Sequence, residues 1–272
     1  MLQDIAPHIY HNQMSWKEPE ADDFVLCYQG RTLYCRFDGD QLVLPRVKDV
    51  PQGALQYAFS IGHRADYLLS NVKFEEKDGF SYQQTGKLRS LMPSPALMAA
   101  AAGESLHRWY DSQRFCGRCG KPMEKSKTER AMVCPVCGNT VYPKICPAVI
   151  VAIHDGDRIV LTKYKDRPFT KYALVAGFNE IGESIEDTVH REVLEETGLR
   201  VKNLKFYKSQ PWVFTDTLLM GFYAELDGDD TITIEEDELS EGAWFHRSEI
   251  PEDHSHISLT GEMMEMFRQG IV

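Results

Sequence analysis

Three glutamates, Glu192, Glu195 and Glu196, stand at i, i+3 and i+4, a spacing that in a helix puts all three on one side. Carboxylates crowded in this way repel one another unless positive charge lies among them, and divalent cations that prefer oxygen ligands supply it. Arg191 sits beside them and can ion-pair locally, holding one glutamate in its rotamer. An acidic helix is ordinarily a solvated face and no more. Here the residues around it argue otherwise: Gly177, five residues, Glu183, seven residues, then Arg191, Glu192, Val193, Leu194, Glu195, Glu196, Thr197, Gly198, Leu199. Ser184 followed three residues later by Asp187 resembles a capping box, and Ile185, Val189 and Val193 repeat every four residues to form one apolar stripe. Gly198 supplies a left-handed stop, so the spacing predicts a helix over 185–197.

A second constellation is Cys116, Cys119, Cys134 and Cys137, two C-x-x-C pairs fourteen residues apart with Gly117, Gly120 and Gly138 beside them. Two-residue spacing aims two thiolates at one tetrahedral ion, and glycines let backbone N–H groups approach the sulfurs. The pattern resembles a zinc ribbon, and four thiolates close the coordination sphere. A single zinc per chain is therefore expected to fold this segment rather than to catalyse. Cys27, Cys35 and Cys146 remain, each expected to be a packing residue.

The elements that must position these groups can be read from hydrophobic period. Residues 23–48 alternate apolar runs with turns, as an antiparallel meander does. Residues 54–92 carry mixed strand and helix signals and no chemical motif, which suggests a structural or dimerising role. Residues 95–115 have helical spacing and lead into the first cysteine pair. After the cysteines come a hairpin across the Asp155, Gly156, Asp157 turn, a further strand, the acidic helix, strands near 203–207, 217–226 and 242–246, and a short helix near 261–268. The expected class is α+β, with an N-terminal α+β domain at 1–94, a helix plus four-cysteine module at 95–145, and a mixed-sheet catalytic domain at 146–272.

The formal charge of −11, from 30 basic and 41 acidic residues, disfavours general adhesion to nucleic acid and suits an acidic cation site. No run approaches the roughly 20 apolar residues of a membrane span. An odd count of seven cysteines, four of them in metal-ligand spacing, fits a reducing compartment, and the protein is expected in the cytoplasm.

The frame from Gly177 to Leu199 matches the Nudix box, G-x5-E-x7-R-E-U-x-E-E-x-G-U with U aliphatic, at every specified position, and the chain is identified on it as a member of the Nudix hydrolases. The resemblance implies an α/β/α sandwich around a mixed sheet. It also implies hydrolysis of a nucleoside diphosphate linked to another moiety, with Mg2+ or Mn2+ as cofactor. On that basis Glu192 and Glu196 are direct metal ligands, Glu195 is a ligand or the base, Arg191 belongs to the catalytic set, and the carbonyl of Ala176 is a further ligand. Glu238 is the candidate glutamate outside the box that completes the site.

Downstream, Ser209, Gln210, Pro211, Trp212, Val213, Phe214, Thr215, Asp216 and Thr217 resemble the SQPWPFPxS array of the NADH pyrophosphatases, a family that includes removers of NAD caps from RNA. Val213 and Thr215 stand where that array has prolines, and Thr217 where it has serine. The order of N-terminal domain, ribbon, Tyr142-Pro143-Lys144 and box resembles the same family. The resemblance implies NAD(H) as substrate, cleaved to AMP and nicotinamide mononucleotide, with an NAD-capped RNA end as a further substrate, and it implies a homodimer. It makes Phe178, Tyr142, Trp212 and Phe214 aromatic contacts for the substrate, Gln210 a hydrogen-bonding contact, and Glu129 a further contact. The missing prolines keep open a pyrophosphatase for ADP-ribose or a related nucleoside diphosphate. A nucleotide sensor that does not cut has no use for the full glutamate set.

Overall fold

The computed structural model describes residues 1–15, 17–51, 53–62, 66–165, 172–235, 237, 239–252 and 257–272. The chain divides into two compact units. One comprises Leu2–Lys144 with Val213–Asp216, the other Met1, Ile145–Trp212 and Thr217–Val272. The helix and cysteine module thus share a unit with residues 2–94.

In the first unit, β1 (Tyr10–His11), β2 (Phe24–Gln29), β3 (Thr32–Asp38), β4 (Gln41–Val43), β5 (Leu55–Ile61) and β6 (Asp66–Ser70) form a sheet ordered β1-β5-β6-β2-β3-β4, with β7 (Ser81–Gln84) paired to β3. The expected meander is β2, β3 and β4, whose turns use left-handed Gly30 and Gly39. The motif-poor stretch supplies β5, β6, β7 and a 3-10 turn at Thr85–Ser90.

Helix α1 (Pro95–Ser112) starts at Ser94, whose side chain accepts from the Leu97 amide, and carries proline in its first turn, where no amide partner is needed. Its run of alanines and Gly103 lets it lie close to the sheet. A Cβ on Gly103 would come within 2.5 Å of Leu26, while Tyr28 donates its hydroxyl to the Ala100 carbonyl at 2.6 Å. Beyond α1 the cysteine module is a three-stranded sheet of β8 (Glu124–Lys125), β9 (Met132–Val133) and β10 (Thr140–Val141).

The second unit is built on β11 (Cys146–Asp155), β12 (Arg158–Tyr164), β13 (Val175–Phe178), β14 (Val201–Trp212), β15 (Thr217–Leu226) and β16 (Leu239–His246). The order is β14-β15-β11-β12-β16, with β13 on β11, and β11 and β15 run parallel within an otherwise antiparallel sheet. Both faces are covered, which explains why β11 reads as a continuous apolar run. Ile150 and Ala152 point into one core with Leu259, Met263 and Phe267 of α3 (Leu259–Arg268), whereas Val149, Val151 and Ile153 point into the other with Val189 and Val193 of α2 (Ile185–Thr197). Successive residues of β12 divide in the same way, Ile159 and Leu161 to one side and Val160 to the other. The result is the expected α+β class, an α/β/α sandwich on a mixed sheet. Among the described residues no helix is long and apolar enough to cross a membrane.

Candidate active site and metal centre

The ends of α2 are those the sequence predicted. Ser184 and Asp187 form the capping box, with the Asp187 amide donating to Ser184 Oγ at 3.1 Å, and Gly198 closes the helix at φ 71°. Caps of this kind contribute about 1 kcal/mol each. Here they also fix where the glutamates begin and end. The stripe Ile185, Val189 and Val193 faces the core, while Glu192 meets β13 and Glu195 faces solvent.

Arg191 organises that side. Its Nε donates to Glu183 Oε1 at 2.5 Å and one terminal nitrogen to Glu183 Oε2 at 2.9 Å, a fork on one carboxylate. The same nitrogen donates to the Phe178 carbonyl at 2.9 Å. The other terminal nitrogen donates to Glu192 Oε1 at 2.7 Å and to Glu195 Oε2 at 2.9 Å. The expected local ion pair therefore reaches three glutamates, and Glu183 is the anchor of the set. The Arg191 guanidinium, with the Glu180 amide and the Thr188 hydroxyl, holds the Glu183 carboxyl down at about 2. Asn179 braces this corner by donating to the Glu183 carbonyl and to Thr188 Oγ1.

Gly177 of β13 has a steric reason for being glycine. A Cβ there would lie 1.9–2.1 Å from the three atoms of the Glu192 carboxyl group, so any side chain displaces that carboxylate. Ala176 is its neighbour on β13, paired with Ile150. Glu196 is 2% exposed, while the Glu195 side chain keeps 52% of its surface. The environments of these two adjacent glutamates are thus far apart, one enclosed and one wet.

The donor set is all hard oxygen, as Mg2+ or Mn2+ requires. One guanidinium serves the carboxylates of Glu183, Glu192 and Glu195, so these four side chains together carry a net negative charge that suits a divalent cation. Among the described residues the glutamates do not close into a compact ligand cluster, although Glu192 and Glu195 accept from the same Arg191 nitrogen. Glu238 lies outside the described residues.

The four cysteines do close up. Their sulfurs lie within 4.8 Å of one another, with Cys116 and Cys137 at 3.6 Å and Cys119 and Cys134 at 3.5 Å. Tetrahedral Zn–S bonds of about 2.3 Å imply sulfur separations of about 3.8 Å, so the set fits zinc. The two knuckles are alike: Gly120 donates to Cys116 O and Gly138 to Cys134 O, at φ 70° and 71°. With four thiolates the site is closed to substrate.

The residues expected to select the substrate are distributed between the units. Phe178, 55% exposed, ends β13. Tyr142, 57% exposed, donates its hydroxyl to Glu129 Oε1 at 3.1 Å in the ribbon-bearing unit, and the carboxylate beside it raises the tyrosine pKa. Trp212 is half-buried at the end of β14. Phe214 packs against the core of the first unit with its ring 5.0 Å from the Arg89 guanidinium.

Gln210, expected to hydrogen-bond substrate, is fully buried here, its amide nitrogen donating to Ile257 O at 2.7 Å and its oxygen accepting from Leu259 N at 2.7 Å. Its amide holds the start of α3. Strand alternation carries the signal: position 210 falls on the inward face, one residue from exposed Ser209.

Sequence reasoning also missed Asn179 and Thr188 as braces and the ties from α1 to the turn at 213–216, since partners up to 111 residues apart leave no local spacing to detect.

Comparison with known proteins agrees with this architecture. Residues 144–265 match the NUDIX domain, and residues 111–142 match the NADH pyrophosphatase zinc ribbon domain. A protein of Haemophilus influenzae described as NAD-capped RNA hydrolase NudC is 36% identical over 83% of this chain and 86% of its own length. One from Salmonella paratyphi C with the same description is 42% identical over 61% of this chain and 65% of its own. A Nudix hydrolase structure from Nitrosomonas europaea superposes with a TM-score of 0.47 at 22% identity, covering 57% of this chain and 90% of that one. With its box, its ribbon and a relative matched over most of both lengths, the chain belongs to the Nudix hydrolases, in the family of the zinc-ribbon NADH pyrophosphatases.

Proposed function

We propose that this protein hydrolyses the diphosphate of NAD(H) to AMP and nicotinamide mononucleotide, and removes the NAD cap from RNA by the same cut. The observation that carries the reading is the Arg191 hub, which holds Glu183, Glu192 and Glu195 in one charged group beside Gly177, in a chain whose relatives are described as NAD-capped RNA hydrolases. Glu192, Glu196 and the Ala176 carbonyl are the proposed ligands of Mg2+ or Mn2+, with Glu238 completing the set. When bound, the cations neutralise the two phosphates and activate the attacking water.

The chain's own groups do the rest. Arg191 fixes the rotamers of Glu192 and Glu195, which pre-organises the site at no cost during the reaction. Glu195, exposed enough to meet water, accepts its proton. The water oxygen bonds to one phosphorus, and the bridging oxygen leaves on the other phosphate with the bond's electron pair. Phe178, Tyr142 and Trp212 are the proposed stacking surfaces for the bases, with Glu129 beside Tyr142. Residues 1–94 are assigned a structural and dimerising role, the active form is a homodimer, and the compartment is the cytoplasm.

The test is product analysis with NADH, NAD, ADP-ribose, diadenosine polyphosphates and NAD-capped RNA in Mg2+ and in Mn2+. AMP plus the mononucleotide from NADH is the expected result. Much higher efficiency on ADP-ribose would replace this reading with that of a broader nucleoside diphosphatase.

A further inference from the structure

The turn Val213–Asp216 lacks both prolines of the array it resembles, so its backbone needs another restraint. Four contacts to α1 and to residues just before it provide one. Arg108 donates to Asp216 Oδ1 at 2.6 Å and to the Val213 carbonyl at 3.1 Å, spanning both ends of the turn. Ser105 Oγ, one helical turn earlier, donates to the same Asp216 oxygen at 2.6 Å. The guanidinium of Arg89 lies over the Phe214 ring.

Arg108 is itself held. Glu104 is 5% exposed, lies 3.5 Å from an Arg108 nitrogen, and accepts from the buried hydroxyl of Thr85 at 2.8 Å. Asp216 has φ 58°, a left-handed conformation that a non-glycine residue keeps only when its side chain or surroundings hold it. Here two donors grip that side chain.

We propose that Arg108 is a positioning residue for substrate recognition, its charge restraining the turn in place of the missing proline rings and so fixing the bearings of Trp212 before it and Phe214 within it. The proposal rests on the assignment above of Trp212 as a stacking surface for a base of the substrate, and takes that base to be the nicotinamide. Arg108 is assigned a role through the turn and not through contact with substrate, so its loss should act on binding more than on turnover.

The experiment uses the full-length protein and Arg108→Met, which keeps the apolar stem and removes the donors. Hydrogen exchange of the Phe214, Asp216 and Thr217 amides in the free enzyme should rise by about tenfold while the remaining amides of β14 and β15 keep their rates. KM for NADH should rise by about tenfold with kcat within about twofold, and KM for ADP-ribose should move much less. Restoring prolines in Arg108→Met/Val213→Pro/Thr215→Pro should return both exchange at the three amides and KM toward wild type. Asp216→Gly, which keeps the backbone angle and deletes the ion pair, should reproduce Arg108→Met, and the double variant should add nothing further.

Unchanged exchange at the three amides overturns the clamp. So does faster exchange with KM for NADH unmoved, or a raised KM that the prolines leave raised. If wild-type enzyme fails to cut NADH at all, the functional reading fails, and the exchange rates with their rescue by proline still decide whether the clamp exists.

Discussion

Gly177→Ala is the smallest change that should disable the proposed metal site. The added carbon would sit 1.9, 2.0 and 2.1 Å from the Cδ, Oε2 and Oε1 atoms of Glu192. Ordinary contact begins near 3.4 Å, so the carboxylate must retreat by about 1.4 Å if β13 holds its place. β13 is held by its ladder to β11, whereas the glutamate ends in rotatable bonds, so the side chain is what moves. Its retreat strains the 2.7 Å bond from Arg191 and misplaces a proposed ligand. Misplacement of a reacting group by about 1 Å costs on the order of a hundredfold in rate. Because the atoms met are the far end of a flexible side chain, the cost in stability should stay at or below the roughly 1–3 kcal/mol of core overpacking. The assay is kcat and KM for NADH across a Mg2+ and a Mn2+ titration, alongside thermal melting and zinc content. The expected result is a loss of about two orders of magnitude in kcat with a raised cation requirement and one retained zinc. A folded Gly177→Ala protein working at tenths of the wild-type rate would refute the placement of Glu192 at the metal.

Three further outcomes follow from the same structure. Elemental analysis should find about one zinc per chain, and Cys134→Ser should lose the metal and melt at lower temperature; a zinc-free native protein of full stability would sink the structural assignment. Glu183, held at about 2 by Arg191, titrates below its unfolded value, so the stability it lends is fully present above about pH 4.5 and disappears as pH falls through 2. Glu183→Gln should therefore flatten acid unfolding in that window, and an unchanged acid profile counts against the Arg191–Glu183 fork. Gln210→Ala should cost about 1–3 kcal/mol by stranding the buried Ile257 carbonyl and Leu259 amide. Its KM for NADH should hold in the fraction that remains folded, and a selective tenfold rise would restore Gln210 to the substrate.

The parts of this protein legible in the sequence are those in which local spacing is the geometry. The i, i+3, i+4 glutamates, the capping box and Gly198 define a helix whose limits, Ile185–Thr197, came out as read, because helix ends are set by neighbouring residues. The two C-x-x-C pairs likewise carry their own turn chemistry. The sandwich itself came from the resemblance of the box, and the unbroken apolar run of β11 fits it as a strand buried on two faces.

What the tertiary structure alone decided are relations between distant residues. Pairing of β13 with β11 lays Gly177 against Glu192, and the fold closes Arg191 on Glu183 eight residues away as well as on its neighbours. The burial of Gln210 against Leu259 is a property of the assembled sheet and α3, not of a motif. The tie between Arg108 and Asp216 spans 108 residues, and no periodicity in a sequence encodes a partner at that distance. Only the packing of the turn against α1, driven by the apolar contacts of Val213 and Phe214, brings the two charges together.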